Sequence, residues 1–339
     1  MSEYGEKHGL YPMRVQVLPG SEAERKHYGA AAHYRDETVE PEALAPGVTP
    51  SPPDDLVFRG GKVVPQMGFQ NIYLGRPTDF APGDVEAIDD AIARLMRDKR
   101  LKDIIQQYFP GKLLSYDVAK SVILNEPRPV QMGEADVQNK VVDLFDRGLI
   151  LGTDHDRTCF NLVLPPGTIL TLDDSSSLEG LGGYHGSVHF RRQGQNRTLY
   201  YSANVYSENR PSGRNGIPVF SQPWKNIVCT LYHELVEFQT DPDVGDAIRQ
   251  QDRRFIGFNS NRGHEIGDQP IAANSLDKVF KEVLTLPGPR PTPVQFMYSN
   301  KVHGAEGPDE IPGHDRTIGG PALAAASAPQ PAATAAEPV

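Results

Sequence analysis

Residues 222–242 read QPWKNIVCTLYHELVEFQTDP. Pro223 fits the first turn of a helix, where a missing N–H is not needed. With 3.6 residues per turn, Trp224, Ile227, Val228, Leu231, Leu235 and Phe238 share one face. His233, Glu234, Glu237 and Asp241 fall on the opposite side. Pro242 disfavours helical geometry at the residue before it, so the helix is expected to end near Thr240. Charged residues opposite an apolar stripe are ordinarily a solvated helix face. The spacing here offers a sharper reading. His233 and Glu237 are four apart, so their side chains stand one turn from each other and can grip one ion.

The flanking segments indicate what this helix packs on. FQNIYLG (69–75), CFNLVLP (159–165) and RTLYYSANVYS (197–207) are apolar and β-prone, and VAKSVIL (118–124) reads as a further strand. GDVEAIDDAIARLMRDKRLKDIIQQYF (83–109) has apolar residues at helical spacing, giving one or two helices. EADVQNKVVDLFDRGLI (134–150) reads as an amphipathic helix with Val137, Val141, Val142 and Phe145 on one face. This alternation predicts an α+β fold, a zincin-like mixed sheet with packed helices and an active-site helix. The segment 197–207 is expected at the sheet edge, where an extended peptide can add as a strand.

Outside this region the composition changes. Residues 1–55 are polar and end in the Pro-rich PEALAPGVTPSPPDD, which reads as a flexible arm. Residues 304–339 end in PALAAASAPQPAATAAEPV, without a periodic apolar face, and read as a disordered tail. The domain is therefore expected over 56–303. With 38% hydrophobic residues in 339, a substantial core is possible. A net charge of −10 and scattered Lys and Arg argue against nucleic-acid and anionic-membrane partners. The absence of an apolar signal-like start predicts a cytoplasmic protein, with a secreted form as the alternative. Two cysteines, Cys159 and Cys229, provide neither a disulfide framework nor a Cys-based zinc site; whether they pair is left open.

His233-Glu234-x-x-Glu237 resembles the metal-binding helix in which a Glu beside the first ligand acts as general base, with Glu in place of the second His. Two ligands are too few for a catalytic zinc site. GHEIGDQP (263–270) supplies Glu265, Asp268 and His264 within five residues, framed by glycines; the preferred order for the third ligand is Glu265, Asp268, His264. One imidazole and two carboxylates with one divalent ion are neutral overall. Zinc is the ion expected, although the oxygen-rich shell weakens that choice. His185, in Gly183-Tyr184-His185-Gly186, lies between glycines and can approach a ligand, either assisting an oxyanion or closing a turn. Asp241 reads as closing the motif helix, and His189 as structural.

HELVEFQTDPDVGD followed by EIGDQP resembles bacterial members of the EXORDIUM-like, or phosphate-induced protein, family. GGKVVPQMGFQNIYLG, GYHGSVHF and VQFMYSN fit the same resemblance in the same order, so it spans residues from about 60 to 300. Plant relatives in that family are secreted and growth-associated, and they keep the central Gly-x-His-Gly but lack the His-Glu-x-x-Glu ligands. The resemblance alone therefore does not imply catalysis, and a non-catalytic binding or signalling protein is the rival reading. The preferred expectation is a metal-dependent hydrolase, a zinc peptidase acting on peptide or protein substrates. His233, Glu237, Glu265 and Asp268 are its metal ligands, Glu234 its general base, and His185 its assisting group.

Overall fold

Strands with β-branched and aromatic residues on both faces form the centre of the molecule. The structure is a computed structural model that describes residues 15–18, 21–23, 26, 44–150 and 154–312. Its main sheet has seven strands: β1 (Val15–Val17), β2 (Gln66–Tyr73), β3 (Ser115–Val118), β4 (Val122–Ile123), β5 (Thr158–Val163), β6 (Leu181–Arg192) and β7 (Gln195–Asn204). The spatial order is β1-β6-β7-β5-β2-β3, with β4 also on β2. Strands β7, β5, β2 and β3 run parallel, while β1 and β6 add antiparallel at one side.

Both faces of the sheet are covered, which is why its central strands are apolar throughout rather than alternating. On one face lie α1 (Asp84–Arg97), α2 (Lys99–Gln106), α4 (Pro223–Thr240) and the hairpin β8 (Phe280–Thr285) and β9 (Arg290–Gln295). Leu95, Ile104, Leu231, Leu235, Phe69 and Val294 belong to this core. On the other face, α3 (Glu134–Asp146) packs Val137, Val141 and Leu144 against Phe160, Leu162 and Tyr201. Two short helices follow α4: α5 (Val244–Gln250) and α6 (Asp268–Ala273). The fold is α+β, a mixed sheet with packed helices.

Several boundaries expected from the sequence move. The segment 83–109 is two helices because Asp98 caps the second, accepting from the Arg100 amide. VAKSVIL is not one strand: Val118 ends β3 and only Val122–Ile123 resumes pairing. The expected edge strand 197–207 is corrected to an interior one, since β7 lies between β6 and β5. The antiparallel edge is taken by β1, part of the segment read as a flexible arm. Val15 and Val17 are buried in the core and Gln16 pairs with Gly183. The Pro-rich stretch also packs from Leu44 onward: Ala45 donates its amide to Ala305, and Tyr298 donates its hydroxyl to the Ser51 carbonyl. The tail boundary at 304 moves too, because Gly304–Glu306 pairs with Met297–Ser299 and Ala305 is buried. Residues 1–14, 19–20, 24–25, 27–43 and 313–339, which complete the expected arm and tail, lie outside the described residues. Cys159 and Cys229 are both free and buried.

Candidate metal centre

Helix α4 is embedded rather than amphipathic at a surface. Every residue from Lys225 to Thr240 is buried, so the polar side faces protein, not water. Two glycines let this happen. A Cβ at Gly183 of β6 would lie 2.7 Å from Thr230 Cγ2 and 3.1 Å from Glu234 Oε1. A Cβ at Gly267 would lie 2.5 Å from His233 Nδ1. Only a bare backbone allows the strand and the 263–268 loop to close on the helix this tightly. Side chains alternate along β6, so Gly183 and His185 face α4 while Tyr184 enters the opposite core.

His233 has a defined tautomer. Its Nδ1 lies 3.1 Å from Oε1 of Gln295, and the Gln295 amide nitrogen donates to the Gly267 carbonyl at 2.7 Å. A carbonyl only accepts, so Gln295 must turn its oxygen to His233, and His233 Nδ1 is the donor. Nε2 then carries the lone pair. It lies 3.1 Å from Glu237 Oε1 and 3.6 Å from Asp268 Oδ1, and makes no hydrogen bond. A metal-ligating histidine characteristically donates its other N–H to such a carbonyl.

His185 repeats the arrangement. Its Nε2 lies 3.1 Å from the backbone carbonyl of Asp241, which fixes Nε2 as a donor. Nδ1 faces Glu234 Oε2 at 3.2 Å and Glu237 Oε2 at 3.7 Å. Glu265 Oε1 stands 3.8 Å from His185 Nε2. Potential ligand atoms of His233, Glu237 and Asp268 lie within 4.8 Å of one another, as do those of His185, Glu234 and Glu237.

The electrostatics of this cluster are unbalanced. Among the described residues, no Lys or Arg forms an ion pair with Glu234, Glu237, Asp241 or Glu265. Glu234 Oε1, Glu237 Oε2, Asp241 Oδ2 and both Glu265 oxygens are buried without a hydrogen-bond partner. Burial pushes the pKa of Glu234 well up, with repulsion from Glu237 and Asp268 adding to it. Burial likewise raises Glu237, Asp241 and Glu265; for Glu265, Glu237 and Asp241 contribute further repulsion. Burial lowers His233, disfavouring its imidazolium. An unpaired buried carboxylate costs several kcal/mol, so four together need either protons or cations. The aimed lone pair of His233 and the nearby His185 ring, among bare carboxylate oxygens, are a donor set that fits a divalent ion.

The sequence-derived ligands thus converge, with changes of role. Asp268, not the preferred Glu265, stands with His233 and Glu237. Glu265 is buried in the same cluster, on the His185 side. His264 points elsewhere: it is held down to about 4 by burial and hydrogen-bonds Gln269. His185 has both ring nitrogens engaged within the cluster, so neither is turned to an oxyanion outside it. Glu234 has the expected position beside His233 but is fully enclosed. Asp241 does more than end the helix: its Oδ1 accepts from the Gly257 amide and its carbonyl orients His185. The sequence reading missed Gln295, Thr230 and Gln16. Gln16 of β1 donates to Gln295 Oε1 at 2.7 Å and accepts from Thr230 at 2.7 Å. The alternation Val15-Gln16-Val17 was the available signal. His189 is structural, as expected, bonded to Asp246 and Thr198.

No helix among the described residues is long and apolar enough to cross a membrane. Comparison of the chain with family models, with curated proteins and with solved structures finds no match, so the EXORDIUM-like resemblance rests on its five sequence segments alone.

Proposed function

We propose that this chain is a metalloprotein that holds a divalent cation, zinc in the first instance, through His233, Glu237 and Asp268, and that the centre serves a hydrolase acting on peptides. The observation that carries the reading is the aimed lone pair of His233 Nε2, fixed by Gln295 and facing two carboxylates in a fully buried site. A divalent cation in such a site acts as a Lewis acid and makes water a nucleophile near neutral pH. Glu234 is the group for proton transfer. Its Oε1 is unpartnered, its other oxygen faces His185 Nδ1, and burial has raised its affinity for a proton. Gln295 and the Asp241 carbonyl are positioning groups that keep both imidazoles oriented.

A second reading is favoured by a specific observation. His233, Glu234, Glu237 and Glu265 are 0% exposed, His185 1% and Asp268 3%. A closed centre of this kind suits a cation that organises the domain without turnover, in line with the binding or signalling alternative. The two readings separate with the Glu234→Gln variant and a mixed peptide library read by mass spectrometry. The hydrolase reading expects zinc-loaded wild type to cleave, and the variant to keep the cation held by His233, Glu237 and Asp268. It also expects cleavage to fall at least about a hundredfold, the scale of a lost general base. No cleavage by the zinc-loaded wild type would leave the structural reading. Equal cleavage by the variant would remove Glu234 from the mechanism.

A further inference from the structure

We infer that the cluster is a two-cation centre in which Glu237 is the shared carboxylate, between one site completed by His233 and Asp268 and another completed by His185 and Glu234. This deepens the metal-binding reading above and rests on it, and it gives Glu234 a ligand's place in the second site instead of the general base's.

The helix supplies the first argument. With 3.6 residues per turn, the direction of Glu237 falls between those of His233 and Glu234. A residue so placed can serve neighbours on both sides. The distances show that division: Glu237 Oε1 lies 3.1 Å from His233 Nε2, and Glu237 Oε2 lies 3.7 Å from His185 Nδ1. Each carboxylate oxygen therefore belongs to a different imidazole. The Gly267 and Asp268 amides both donate to Oε1 at 3.2 Å, which holds the carboxylate in this orientation.

The second argument is that the two groups are complete separately. Each has one imidazole whose far nitrogen is occupied by a carbonyl, Gln295 Oε1 for His233 and the Asp241 backbone for His185. Each has a carboxylate of its own, Asp268 or Glu234, and they have only Glu237 in common. A single-ion site at His233, Glu237 and Asp268 uses only one of these imidazoles and only one of the two residue groups.

The third argument is charge. Glu234, Glu237, Asp241 and Glu265, without a Lys or Arg partner among the described residues, carry four negative charges when ionised. Asp268 makes five, of which one divalent ion offsets two and two ions offset four. Asp241 Oδ2 and both Glu265 oxygens remain as further buried acceptors around the second site. Carboxylate-rich two-ion centres recur in hydrolases of peptides and phosphoesters.

The test uses the full chain, stripped with a chelator, dialysed against zinc chloride and analysed for metal per protein. The expected content is two zinc ions per chain, falling to one in His185→Ala and to one in Asp268→Ala, and to none in Glu237→Ala. Circular dichroism and thermal melts establish that each variant is folded. Titration of the stripped wild type with Co(II), followed by its electron paramagnetic resonance, supplies a readout without variants. A shared carboxylate couples the two ions, so signal per cobalt should drop as the second equivalent binds. One zinc per chain at saturation, with a cobalt signal that stays proportional to bound metal, would overturn the two-cation inference and leave the single-ion reading standing. No bound zinc at all would overturn both.

Discussion

Two acidic clusters lie a few residues apart on the same stretch of chain and are stabilised in opposite ways. Asp246, on α5, is surrounded by donors: Arg249 Nη2 at 2.8 Å, His189 Nε2 at 2.9 Å and Ser187 Oγ at 3.1 Å. Burial works against its ionisation, but the His189 and Arg249 hydrogen bonds outweigh that and hold it down at about 2. Glu237, nine residues earlier, is more deeply buried, has no Lys or Arg partner among the described residues, and is shifted the other way. At Asp246 the chain provides its own cation. At Glu237 it provides oriented lone pairs and, on the proposed reading, leaves the cation to come from outside. The lesson is that a buried carboxylate is informative chiefly through what does not neutralise it.

This contrast can be sharpened by removing the external cation. Zinc at a thousandfold over its Kd should stabilise the native state by about 4 kcal/mol. For a chain of this size that is on the order of 10 °C in melting temperature. The gain should vanish in Glu237→Ala and survive in Asp246→Asn, both read by calorimetry. A Glu237→Ala variant that keeps the gain would place the cation elsewhere.

Next in size is the support behind His233. Gln295→Leu removes the acceptor that fixes the tautomer while keeping an apolar filler of similar size. Zinc affinity should weaken roughly 10- to 100-fold, measured by competition with a chromogenic chelator, whereas Gln295→Glu should restore much of it. Unchanged affinity in Gln295→Leu would mean that the ring is held by packing alone.

Asp246→Asn should cost about 1–3 kcal/mol, the usual worth of hydrogen bonds to a charged group, without altering zinc content. The sign of its pH dependence follows from its lowered value. The contribution is complete above the ordinary Asp value of about 4 and is lost as pH falls through about 2. The metal-free centre should do the reverse. Glu234, Glu237, Asp241 and Glu265 have raised values, so the native state binds their protons more tightly than the unfolded chain. Stability is then lost as pH rises from the ordinary carboxylate range through the raised values. His233 and His264, both lowered, oppose this only below about pH 6.5. Stripped protein should therefore melt lower at pH 8 than at pH 6.5, the smallest of these effects. A melting temperature that rises over that interval would mean that the centre is not protonated when empty.

The helix carrying these residues was legible because periodicity, Pro223 and Pro242 all agree on its bounds. The α+β class followed from strands alternating with helices. The convergence of 233–237 with 263–268 was legible as chemistry, from residue types and spacing, but not as geometry. Sequence spacing places His233 one turn from Glu237; only the fold shows that Gly267 lets the loop press on that ring, bringing Asp268 rather than Glu265 beside it. His185 was recognisable as unusual and its partner was not, since β6 meets α4 through the sheet order. Gln16 lay in a polar, Pro-rich region whose composition hid one short strand. Three residues carry too little periodicity to stand out, yet pairing with β6 buries both valines.

The central claim, that this buried cluster requires a cation from outside, is tested most directly by elemental analysis of the full chain after stripping and dialysis against zinc. At least one tightly held zinc per chain is expected in wild type and in Asp246→Asn, and none in folded Glu237→Ala. Wild-type protein that stays metal-free and melts at the same temperature with and without zinc would contradict it.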